Sequence, residues 1–202
     1  MWALVEDNAI VKIINQPKGM IIGDTRHSRK IFSLWSVAEK EAKGIYEVVF
    51  DNINKKDEAY YNNTNQSFDF ADGVATASYG TATAKALADA NATDDDGEEL
   101  DPVIVIEGLK TKHKRIIKQQ ASGLLTDTDW YVIKATDVES YSVPSAITTY
   151  RANVRTKSND MEVLIDACST VDELATLYEY VNTGTEENPV MEKPLGEFPE
   201  AV

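Results

Sequence analysis

Val143-Pro144-Ser145-Ala146-Ile147-Thr148-Thr149-Tyr150-Arg151-Ala152-Asn153-Val154 opens a run in which Ile147, Tyr150, Val154, Met161, Leu164, Ile165 and Cys168 recur every three or four residues. That spacing lines one face of a long α-helix, with Pro144 suited to its first turn. Ser169 and Thr170 interrupt the period. Thr170-Val171-Asp172-Glu173 then has the Thr-x-x-Glu spacing of a capping box, so a last helix follows through Leu174, Leu177, Tyr178 and Val181. Upstream, Leu109, Ile116, Ile117, Gln120, Leu124 and Leu125 share another helical stripe, bordered by Lys110, Lys112, Lys114, Arg115 and Lys118. A break at Thr126-Asp127-Thr128-Asp129-Trp130 and an irregular stretch separate it from the long helix.

Towards the N-terminus the period shortens. Trp2–Glu6 and Ile10–Ile14 flank the polar turn Asp7-Asn8-Ala9, a hairpin signal. Ser36 with Glu39 matches a second capping box, and Gly44 is a suitable helix stop. Ile45–Phe50 reads as a strand. Ser67–Phe70 and Val74–Tyr79 surround Asp72-Gly73, a second hairpin. The expected class is α+β. A β-rich N-terminal domain with four or five strands and one short helix spans 1–85, and an acidic linker spans 86–106. A C-terminal helical domain (helix plus helical hairpin) spans 107–182, and an acidic, proline-containing tail spans 183–202.

Charge supports this division. The net charge is -14, from 34 acidic and 20 basic residues, yet seven of the acids and no base lie between 91 and 107. Clustered like charge favours solvated, extended chain. The tail, with Pro189, Pro194 and Pro199, cannot form a regular helix and reads as disordered or extended along a partner. An extended nucleic-acid surface is not expected at this balance, because phosphates meet net repulsion. No apolar stretch is long enough to span a bilayer, and the first residues lack a secretory leader. A single cysteine, Cys168, fits folding in a reducing cytosol.

Few residues carry recognisable chemistry. Asp94-Asp95-Asp96-Gly97-Glu98-Glu99 invites comparison with a calcium loop. With Gly97 at the sixth position, however, Ala92 and Val103 occupy the first and twelfth, where carboxylates are needed. His27 and His113 fall in different domains, so a histidine zinc site is not expected. Cys168, on an apolar face, reads as a structural thiol. The common phosphate-loop, dinucleotide, zincin and hydrolase patterns do not occur. No catalytic residue, cofactor or metal is therefore assigned. The Lys110–Lys118 run reads as facing the acidic segment upstream or a partner's acidic surface.

Two groups of residues stand out for interaction or architecture. Arg151 and Arg155 lie four apart on one helix side and can grip Asp127 and Asp129 near Trp130. Trp2, Trp35, Tyr60 and Tyr61 are candidate contacts with a partner. Tyr60-Tyr61 precedes a polar Asn/Gln run, and alternation on a strand exposes one of the pair. Trp35, Tyr46, Phe50, Phe68 and Phe70 alternate with polar residues and are expected mainly in the core.

The order Lys114-Arg115, Leu124-Leu125, Thr128-Asp129-Trp130, Pro144 and Tyr150-Arg151-Ala152-Asn153-Val154-Arg155 resembles the phage tail assembly chaperone (tail-fibre assembly) group of small phage proteins. The N-terminal half is similar to proteins encoded beside tail genes of marine tailed phages. That similarity runs through Ala3–Glu6, Ile22-Gly23-Asp24, Ile31–Trp35, Gly44–Val48, Tyr60–Asn65 and Ala77–Thr83. These resemblances imply a non-catalytic virion protein of the tail or tail-fibre apparatus. It would be made in the host cytoplasm and dock other tail, baseplate or fibre proteins within a symmetric oligomer, without nucleic acid or membrane. The alternatives are an assembly chaperone that leaves before maturation and, more remotely, a glycan-active enzyme using two carboxylates across a cleft.

Overall fold

The structure is a computed structural model that describes residues 1–201. It is α+β and divides into two units, Met1–Ala84 and Lys85–Val202.

The first unit contains, in chain order, β1 (Trp2–Glu6), β2 (Ala9–Ile14), β3 (Met20–Ile22), β4 (Thr25–His27), α1 (Ile31–Leu34), α2 (Val37–Glu41), β5 (Ile45–Asp51), β6 (Tyr61–Asn62), β7 (Ser67–Ala71), β8 (Val74–Ser78) and β9 (Thr83–Ala84). Both expected hairpins form. Asp7 and Asn8 have φ of 50° and 58°, and Asp72 and Gly73 have 52° and 79°. Paired left-handed residues give the turn twist that matches flanking strands. The main sheet runs β2-β1-β5-β8-β7, with β5 and β8 parallel and the other neighbours antiparallel. Its outer strands β2 and β7 approach each other, so the sheet curls.

Side-chain size explains the curl. Phe68 lies opposite Ala77 and Phe70 opposite Ala75, pairing a large residue with a small one. Ala3, Val5, Val48, Ala75 and Ala77 form the buried floor, with Tyr46, Phe68 and Phe70 packed over it. Tyr46 and Phe70 have ring centroids 4.5 Å apart. On the other face Leu4, Ile14 and Ile45 pack against Met20, Ile31 and Phe32. Two short helices occur where one was expected. Ile31–Leu34 forms its own turn, which buries Ile31 and Phe32 against the sheet. The capping box at Ser36 and Glu39 opens the second, with Ser36 N–H donating to Glu39 Oε2 at 2.8 Å. Of the five aromatics expected mainly in the core, Trp35, Tyr46, Phe68 and Phe70 pack against it, and Phe50, near the end of β5 and outside the packed floor, is 45% exposed.

The second unit contains β10 (Ala90–Asn91), β11 (Val105–Ile106), α3 (Leu109–Thr126), α4 (Asp129–Asp137), α5 (Ser145–Ala167), α6 (Val171–Thr176), β12 (Val181–Asn182) and β13 (Met191–Glu192). The long periodic run is α5, and its buried face holds Ile147, Tyr150, Arg151, Val154, Ser158, Met161 and Ile165. Leu164 sits off that face and is 37% exposed. α5 packs along α3 through Ala121, Tyr150 and Val154. The stretch read as irregular includes the nine-residue helix α4. The last helix is shorter than its spacing indicated and ends at Thr176. Its capping box is present, with Glu173 N–H donating to Thr170 Oγ1 at 3.1 Å.

Neither acidic segment is open chain. Residues 86–106, expected as a linker, fold back as a hairpin in which β10 pairs β11. Asp94 closes its turn, taking the Asp96 and Glu98 N–H groups at 3.0 Å each. Local carboxylate-to-backbone bonds thus use charge that was read as purely repulsive. The tail expected at 183–202 supplies β13, which pairs back onto β12 just upstream, and then returns to the helices. Leu195 is 3% exposed, its N–H donates to the Leu177 carbonyl at 3.0 Å, and Phe198 packs beside Ala121, Tyr150 and Val154. Its prolines exclude helix, as expected, but not a hairpin.

Candidate functional site

Arg151 is the centre of the helical unit's polar architecture. Only 9% of it is exposed. Its Nη1 donates to the Leu125 carbonyl at 2.9 Å and to Thr128 Oγ1 at 2.6 Å. Its Nη2 meets Asp129 Oδ1 at 2.8 Å. The acceptors are the end of α3, the connecting turn and the start of α4. A planar guanidinium holds its donors in a rigid fork across two nitrogens, whereas an ammonium offers three rotatable donors from a single point. Thr128, itself buried, also donates to the Leu125 carbonyl at 2.8 Å, so the turn is tied twice. Tyr150 adds a long bond, 3.5 Å from its hydroxyl to the Leu124 carbonyl.

The expected arginine pair is thus only half a pair. Arg155 donates instead to the Arg151 carbonyl at 3.3 Å, and among the described residues neither arginine meets Asp127. Asp127 caps the end of α3, where its backbone N–H donates to the Leu125 carbonyl, whereas Asp129 opens α4 and lies within reach of Arg151. Trp130 is 51% exposed and stacks on Tyr131, with ring centroids 3.9 Å apart. Thr128 and the Leu125 carbonyl were missed by sequence reading. A backbone acceptor has no residue signature, and a single threonine in a polar break is indistinguishable from a loop residue.

The four candidate contact aromatics are not exposed anchors. Tyr60 and Tyr61 are each 9% exposed. Alternation does not apply to them, because Tyr60 sits in a turn whose N–H reaches the Asp57 carbonyl and only Tyr61 belongs to β6. Trp2 packs on Phe32 at 4.8 Å, and Trp35 meets His27 edge-on at 5.1 Å, both half-buried over the sheet. The exposed apolar residues are elsewhere. In α4, Trp130, Val132 and Ile133 are 51, 41 and 60% exposed, and no residue of this helix is buried.

Three of the five cations in the basic run of α3 form ion pairs within their own unit. Lys114 meets Asp166 at 2.8 Å, Lys118 meets Glu162 at 3.1 Å and Arg115 meets Glu107 at 3.0 Å. Asp89, from the acidic segment, accepts the Gly108 N–H at 2.7 Å and the Thr111 hydroxyl at 2.9 Å. The Ala86 and Leu87 carbonyls take the next two helix N–H groups, so the first turn of α3 is satisfied by residues 86–89. The Gly108 N–H, then the Thr111 hydroxyl, hold the Asp89 carboxyl below its usual range. A depressed folded value gives stability that is present above the unfolded value of about 3.9 and is lost as pH falls through the folded one. Urea midpoints of the helical unit should therefore decline in that acid window. Asp89→Asn should flatten part of the decline, and an unaltered pH profile would remove this role.

Other titratable groups have structural surroundings. His113 Nδ1 is 2.8 Å from the Tyr178 hydroxyl, and burial lowers its pKa. Cys168 is a buried free thiol whose pKa is raised by burial, then by Glu173. A groove of about 550 Å³ beside α3 is lined by Ile116, Gln120, Leu124, Tyr178, Lys193 and Phe198 among others. Among the described residues no three His, Cys, Asp or Glu side chains converge as a metal site. No helix there is long and apolar enough to cross a membrane.

No protein family, curated protein or solved structure matches the chain.

Proposed function

We propose that the protein is a non-catalytic component of a bacteriophage tail or tail-fibre apparatus that works by docking another virion protein. One observation carries the reading. The residues behind the resemblance to the tail assembly group, Leu124-Leu125, Thr128-Asp129 and Tyr150-Arg151, converge on one clamp at the base of α4. They act there as architecture, fixing a short helix whose Trp130, Val132 and Ile133 face solvent. An exposed tryptophan held on a rigid element, with an aliphatic neighbour one turn away, is the kind of anchor that dominates protein interfaces. Asp127, Asp129 and Asp137 supply a charged rim.

The test is quantitative mass spectrometry of purified, salt-washed particles of the encoding phage. Presence at fixed stoichiometry supports a virion component. Absence from particles together with abundance in infected lysate assigns the assembly-chaperone role that the same resemblance implies, and absence from both ends the phage reading. Replacing Trp130 and Ile133 together by alanine should reduce incorporation while leaving the thermal midpoint nearly unchanged. Loss of one hot-spot anchor weakens binding by ~2 kcal/mol or more, roughly thirtyfold.

A further inference from the structure

The hairpin that replaces the expected linker leaves an open strand edge. Val103, Ile104, Val105 and Ile106 are 56, 53, 55 and 56% exposed, so both faces of β11 are bare. β11 has β10 as its one strand neighbour among the described residues. The Ile104 carbonyl accepts the Ala92 N–H at 2.8 Å, and Ile106 lies opposite Ala90. Backbone groups alternate in direction along a strand, so the N–H and carbonyl of Val105 point away from β10. Valine and isoleucine favour extended chain, and an open edge of this kind is a template for strand addition.

Charge selects the occupant. Seven acids and no base lie between 91 and 107, and Asp95, Asp96, Glu98 and Asp101 have no basic partner among the described residues. An antiparallel pair of two β11 strands would bring together two hairpins that each carry these unpaired carboxylates. Repulsion between the two acidic segments opposes that pairing and guards the edge against self-association. We propose that β11 docks an extended segment of another protein, apolar at alternate positions and flanked by lysine or arginine. This surface is separate from α4, so its failure and that of the tail-docking reading are distinguishable.

The test titrates the full chain with a fluorescent peptide of alternating valine and threonine carrying two lysines at each end. A glutamate-flanked version serves as comparison. The lysine peptide should bind at least tenfold more tightly, weaken with added salt, and slow hydrogen exchange at the Val105 amide. Val105→Pro should abolish binding. Proline is tolerated where an edge N–H faces outward, so the hairpin should survive, and unchanged Gly108 and Leu109 amide resonances would report its base intact. Should that variant disturb those resonances, Val105→Thr with Val103→Thr provides the weakened edge. Equal binding of both peptides, no binding, protection elsewhere, or self-association of the chain through β11 would each overturn the proposal.

Discussion

Arg151→Ala should destabilise the helical unit by ~2–4 kcal/mol, because it removes two charge-assisted bonds and the pair with Asp129, and leaves the buried Thr128 hydroxyl without its donor. The upper limit for breaking a fully buried ion pair does not apply, because the Asp129 side chain is 51% exposed and solvent screens it. The Thr128 hydroxyl is the larger loss, since Thr128 is 6% exposed and water has little access, whereas the Leu125 carbonyl keeps the Thr128 hydroxyl and N–H as donors. For a unit of this size the melting temperature should fall by roughly 8–15 °C. Arg155→Ala removes one 3.3 Å bond to its own helix and should change stability by less than about 0.5 kcal/mol. Fluorescence of Trp130, isolated by replacing Trp2 and Trp35 with phenylalanine, follows this unit. Equal effects of the two alanine variants would mean that the clamp has been assigned to the wrong arginine.

Gly44→Ala should have a comparable effect in the other unit, about 3 kcal/mol. Gly44 has φ of +74°, and a Cβ there would overlap the Val5 carbonyl. The two strands cannot separate to make room, because the Val5 N–H donates to the Gly44 carbonyl at 2.8 Å and Ile45 follows at once in β5, opposite Leu4. Gly73 provides the comparison: its φ is +79° but nothing lies within 4 Å of its Cβ position. Gly73→Ala should then cost only the backbone penalty, ~1–2 kcal/mol. The difference between the two variants measures the contact. In a Trp130→Phe background, Trp2 and Trp35 report it, and equal losses at both positions would assign the whole effect to φ.

Local signals were the legible part of this fold. The two turns at Asp7-Asn8 and Asp72-Gly73, both capping boxes and the α5 stripe each depend on residues a few positions apart. What the sequence concealed depends on distant partners. The acidic segment looks like solvated chain until Asp89 is seen to bind Gly108 and Thr111, nineteen and more positions away. Tyr60-Tyr61 looks like a polar surface strand until the turn at Asp57 changes its direction. At the clamp, the arginine and Asp129 could be named from helical spacing, but the Leu125 carbonyl could not. Exposed Ile133 and Val132 resemble core residues in sequence, because an apolar stripe carries no label for which neighbour, if any, covers it.

The α3 start has a further consequence. Ala86 and Leu87 carbonyls hold the Leu109 and Lys110 N–H groups at 2.9 and 3.1 Å, so the chain leaves at residue 89 and returns at 107 to nearly the same point. Everything between is a cassette spliced into an already closed junction. Loop-closure entropy changes slowly with length, about 0.6 kcal/mol per doubling, so the hairpin can be shortened, lengthened or exchanged for a foreign epitope without disturbing the helices beneath it.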